Sequence, residues 1–215
     1  MFNTVFAATD EIQRLIPDSI LFGSLLMYFL TNNTSFGIFA VFIFEMIVSH
    51  KLISWVSSQT SGDSRSLPLN CRQGFRTPRF DVERMIQQYT YPSFSVFSIV
   101  SIGTYLGMAM KSFEDTLKAM GAEWESRHTV SIIFILALVS LVILLRYFRG
   151  CESFSEIMIA TIFGIVSGLL LYVLNSSIFG KDAMNFLGLP FLVEKDKEGS
   201  PIYVCSSEDH DKQNA

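Results

Sequence analysis

The residues able to do chemistry in this chain are arginines, carboxylates and a few hydroxyls, and they gather in three short runs. The first is Arg72-Gln73-Gly74-Phe75-Arg76-Thr77-Pro78-Arg79, the second is Tyr91-Pro92-Ser93-Phe94-Ser95, and the third extends from Arg146 through Gly150, Cys151 and Glu152 to Glu156. Guanidinium groups hold phosphate through forked N–H donors. Arg72, Arg79 and Arg146 therefore make a candidate phosphate clamp, to which the Ser93 hydroxyl and the N–H groups opening a helix at Pro92-Ser93 add donors. Phosphoryl transfer through a covalent intermediate also needs a nucleophile and an acid for the leaving group. Glu152 is the available nucleophile and Glu156 its neighbouring carboxylate, but three arginines facing a glutamate more simply form an internal salt-bridge network at the phosphate position. That network is the expected outcome. The three histidines supply no catalytic group: His50 reads as an interfacial residue near the end of a helix, His128 falls on the opposite membrane side, and His210 is in the tail.

These runs must be positioned by membrane helices. Half of the 215 residues are hydrophobic, only 17% are charged, and mean hydropathy is +0.39, too apolar for an ordinary water-soluble domain. Twenty Phe exclude a disordered chain, and a net charge of -4 with pI 5.4 excludes a nucleic-acid partner. Ser93 to Met110, Thr129 to Leu145 and Ile157 to Phe179 contain no charged residue, and roughly 20 apolar residues span a bilayer core. Ser19 to Phe44 is also free of charge, but Thr31-Asn32-Asn33-Thr34-Ser35 interrupts it, which predicts a helical hairpin: a short helix from Ser19 to Leu30, then one from Phe36 to Trp55. The short helix reaches only about 18 Å at about 1.5 Å per residue. The predicted fold is all-α, a polytopic transmembrane bundle of about five helices over residues 1–180, followed by a polar C-terminal tail over 181–215. An amphipathic helix is expected around Ser112 to Met120.

The order of the three runs resembles the layout of the type 2 phosphatidic acid phosphatases and their haloperoxidase relatives. In that superfamily a Lys-x6-Arg-Pro element, a Pro-Ser-Gly-His element and a Ser-Arg-x5-His-x3-Asp element meet at one end of a helix bundle. Arg72 and Arg79 keep the spacing of the first element, with Arg in place of Lys and Phe80 in place of Pro. Pro92 and Ser93 match the second, whereas Phe94 stands for Gly and Ser95 for the acid His. Arg146 matches the third, while Leu145 replaces its Ser, Glu152 its nucleophilic His and Glu156 its Asp. The resemblance covers roughly Phe36 to Tyr172 and implies a lipid-phosphatase-like bundle with a surviving cationic cradle and no catalytic imidazole. Its substrates would be phosphate-bearing lipids, and the expected activity is none. Two other readings stand beside it: an active lipid phosphatase with substituted residues, and a structural membrane component of a larger assembly, such as the internal membrane of a large DNA virus capsid.

Several residues fall outside this scheme. Glu45 is an intramembrane carboxylate, which must be protonated, paired from another helix, or lining a polar cavity. Cys71 and Cys151 flank the first and third runs on one membrane side, a placement compatible with a disulfide. No spacing suits a metal, and no cofactor is expected. Ala160, Gly164 and Ser167-Gly168 read as small residues that allow close helix contact. Asn32-Asn33-Thr34 and Asn175-Ser176-Ser177 have the form of glycosylation triplets, both beside the membrane. With five crossings, nine of the 16 Lys and Arg residues share the side of the N-terminus and the Arg-rich loop, placing that side in the cytoplasm. The expected partners are the lipid bilayer, phospholipid head groups, and other proteins of an assembly reached through the tail.

Overall fold

The computed structural model describes residues 19–61, 91–119 and 122–185, and every regular element among them is helical. We number the helices α1 (Ser19–Thr31), α2 (Thr34–Ser61), α3 (Phe94–Ser112), α4 (Glu114–Ala119), α5 (Ala122–Phe148) and α6 (Phe154–Phe179), with a closing 3-10 turn at Asp182–Met184. Four of these, α2, α3, α5 and α6, are long and apolar enough to cross a membrane. The described residues therefore form an all-helical bundle with the spans of a multi-pass membrane protein. The short α1 spans 13 residues or about 20 Å, less than the roughly 30 Å of a hydrocarbon core.

The expected hairpin between α1 and α2 is formed by its polar residues. Asn32 takes a left-handed backbone conformation with φ 51°, which asparagine tolerates better than most residues. The Asn33 side-chain oxygen accepts the Ser35 N–H at 3.0 Å, starting α2 at Thr34, and the Thr31 hydroxyl closes α1 on the Met27 carbonyl at 2.6 Å. At Ser112 to Met120 the expected amphipathic helix is the short α4, whose Leu117 is buried while Lys118 and Glu114 face outward.

Helix α3 is the centre of the bundle. It runs parallel to α6, and the two approach closely because Ala160, Gly164 and Gly168 recur every fourth residue and so share one face of α6. A Cβ added at Gly168 would lie 2.7 Å from the Ser101 carbonyl oxygen and 2.9 Å from Thr104 Cβ; at Gly164 it would lie 3.0 Å from the Phe97 carbonyl oxygen. Only hydrogen fits there. The Ser101 hydroxyl donates to the Gly164 carbonyl at 3.0 Å across the seam.

Helix α2 packs antiparallel to this pair. Its Ser49 hydroxyl meets that of Ser167 at 3.2 Å, and its Phe42 stacks on Tyr105 of α3 with ring centroids 3.9 Å apart. The Tyr105 hydroxyl donates to Met184 Sδ at 3.2 Å, so the 3-10 turn after α6 is tucked against the core and the packing continues to Asn185. Residues 186–215, most of the expected tail, lie outside the described residues.

Candidate functional site

The α5–α6 turn builds the site. Helix α5 ends as the N–H groups of Arg149 and Gly150 bond to the Leu145 and Tyr147 carbonyls, and Gly150 at φ 64° redirects the chain with a conformation that side chains rarely adopt. Three residues later α6 opens with a capping box: the Ser153 hydroxyl accepts the Glu156 N–H, and the Glu156 carboxylate accepts the Ser153 N–H at 2.7 Å. Fixing residue 153 at the cap leaves Glu152 just before the helix, with its side chain turned into the bundle.

There Glu152 Oε1 accepts from Arg146 Nε at 3.1 Å, from an Arg146 terminal nitrogen at 2.8 Å and from the Ser93 hydroxyl. All three side chains are more than nine-tenths buried. Ser93 is the N-cap of α3, and its oxygen also accepts the Val96 N–H at 3.4 Å. The N-termini of α3 and α6 both meet at this carboxylate, and their partial positive charge adds to the guanidinium. With donors converging on one oxygen, Glu152 is a held counter-ion rather than a free nucleophile, and Arg146 presents Nε and one terminal nitrogen to it. Glu152 Oε2 and the Ser95 hydroxyl are buried without a hydrogen-bond partner among the described residues.

The structure thus brings together Ser93, Arg146 and Glu152 from the second and third runs. Glu156, expected as the carboxylate beside the nucleophile, is used by the α6 cap. Arg72, Arg79 and Cys71 lie outside the described residues. Cys151, next to Glu152, is disulfide-bonded, and the chain's two other cysteines, Cys71 and Cys205, both lie outside the described residues.

Two further residues, His50 and Asn175, belong to the polar interior. His50, expected as an interfacial residue near the end of a helix, is buried inside α2: its ring lies against Phe94 and Phe97, and its Nε2 sits 2.8 Å from the Pro92 carbonyl oxygen. A carbonyl only accepts, so Nε2 carries the proton. This bond ties α2 to the residue preceding Ser93. Asn175, read as part of a glycosylation triplet, is fully buried in α6, and its side-chain N–H group donates to Glu45 Oε2 at 3.0 Å. It supplies the partner from another helix that Glu45 needed. The signal was available in the sequence, since an Asn inside a charge-free span requires a polar partner.

Comparison of the chain with protein-family models, curated proteins and solved structures finds no match.

Proposed function

We propose that this multi-pass membrane protein is a non-catalytic counterpart of the lipid phosphatases, a membrane scaffold whose own Glu152 carboxylate takes the position of a substrate phosphate. The observation that carries the reading is the buried contact of Glu152 with both Arg146 and Ser93, the two described residues that the resemblance assigns to phosphate binding. An anion of this chain on those donors competes with any phosphomonoester. The absence of the motif imidazoles supports the same reading, because Ser95 stands where the acid would be and Glu152 where the nucleophile would be.

The test is phosphate release from phosphatidic acid and diacylglycerol pyrophosphate by purified protein in mixed micelles, beside the Arg146→Ala variant. The expected rate equals the protein-free background for both proteins. Turnover by the natural sequence that Arg146→Ala abolishes would overturn the reading. A Glu152→Gln arm sharpens it: with the competing charge removed, short-chain phosphatidic acid should bind at least about tenfold more tightly in calorimetric titration, while an unchanged affinity would deny Glu152 the phosphate position.

A further inference from the structure

Glu45 stands midway along the apolar span Thr34–Ser57 of α2, with about 17 Å of helix on either side at about 1.5 Å per residue. It is half-buried. One carboxylate oxygen accepts from Asn175; among the described residues Glu45 makes no ion pair and no other hydrogen bond. The cations of the described spans do not reach that depth. Lys51 and Arg146 belong to the Ser93 end of the bundle, where Arg146 is engaged by Glu152, and Lys111 ends α3 at the opposite face.

Beside Glu45 runs a stripe of exposed side chains, Val41, Phe44, Val48, Leu52 and Trp55. Steps of three, four, four and three residues keep these on one narrow arc of the helix, the spacing of a helix-packing seam. Glu45 lies at the edge of that arc nearest α6. Acyl chains can cover the apolar side chains, but they offer no donor to a carboxylate, and a charge at mid-bilayer is costly unless paired.

We infer that the Val41 to Trp55 stripe of α2 is a docking face for a transmembrane helix of a partner protein carrying a Lys or Arg at mid-membrane, with Glu45 as its ion-pair acceptor. Charge complementarity selects this occupant over a second copy of the chain, which would bring a second Glu45 against the first. Asn175 is the positioning residue, holding one carboxylate oxygen and leaving the other for the partner's cation. The inference uses α2 and α6 at mid-span and does not depend on the Ser93, Arg146 and Glu152 contact.

The test uses full-length labelled protein in phosphatidylcholine vesicles with synthetic transmembrane helices of leucine, either uninterrupted or with one central Lys, read by energy transfer. The central-Lys helix should associate at least about fivefold more strongly than the all-leucine helix. Glu45→Gln, which can still accept from Asn175 through its amide oxygen, should remove that preference. Val48→Phe, which adds bulk to the exposed stripe, should weaken association by obstructing approach. Equal association of the two helices, or a preference that survives Glu45→Gln, overturns the inference. So does energy transfer between copies of this chain that Glu45→Gln abolishes, which would make a second copy the occupant.

Discussion

Helices α5 and α6 both pack against α3, and they do so in opposite ways. Helix α6 is joined along its length through Ala160, Gly164 and Gly168, backbone against backbone. Helix α5 touches α3 through side-chain tips, with Val139 and Ile135 beside Gly103, and is held at its end by Arg146. Burial follows: 56% of the apolar window of α3 is enclosed, and 6% of that of α5. Yet α5 is the most apolar of the four spans and α3 the least. Lipid is as apolar as leucine, so a leucine-rich helix gains nothing by going inside, whereas Ser, Gly, Thr and Tyr find partners only against another helix. In this bundle the most apolar span lies on the outside and the least apolar span in the interior.

The largest expected effect comes from removing the polar end-anchor of α5. Arg146→Ala leaves Glu152 buried without its cation and should cost about 3–5 kcal/mol in reversible denaturant unfolding of the detergent-solubilised protein. Replacing both partners at once, Arg146→Met with Glu152→Leu, should recover most of that loss. A single variant as stable as the natural protein would mean that α5 is held by its apolar contacts after all.

The seam gives the next largest effect. Alanine favours a helix over glycine by about 1 kcal/mol, so any net loss reports steric conflict. Gly168→Ala drives a methyl group into the Ser101 backbone and should destabilise by about 1–3 kcal/mol. Gly103→Ala meets a Val139 methyl 2.9 Å away on the loosely held α5, which can move aside, and should be near neutral. Equal losses at the two positions, measured by the same unfolding, would erase the distinction between the two contacts.

The spans were legible because charge is excluded from hydrocarbon, and the α1–α2 hairpin was legible because five polar residues have no place inside a continuous span. The close contact of α6 could be read from the fourfold spacing of its small residues. Pairings between helices could not. Nothing local in the sequence says that Asn175 meets Glu45 or that His50 meets the Pro92 carbonyl, since each pair is joined only by how the helices pack. Glu156 misled for a local reason: the Ser153 capping box and the carboxylate of the resemblance require the same residue, and the cap uses it.

The smallest effect lies beyond the other end of α5, within the short α4 that precedes it, whose ion pair spans one turn of that helix and stands in water rather than in the interior. Lys118 Nζ donates to Glu114 Oε1 at 2.6 Å, and this bond, reinforced by the charge of Lys118, holds the Glu114 carboxyl below its ordinary value of 4.5; His128 and Lys111 lower it further. A carboxyl whose folded value is depressed contributes stability that is fully present above its unfolded value and is lost as pH falls through the folded one. The contribution of this pair should therefore disappear on the acid side of 4.5, and because both partners are exposed to solvent it should also fade with added salt. In Lys118→Met the Glu114 carboxyl, followed by carbon NMR across the acid range, should titrate at higher pH than in the natural protein. Unfolding at neutral pH should barely change. A loss as large as that of Arg146→Ala would overturn the ranking of the buried pair above the water-facing one.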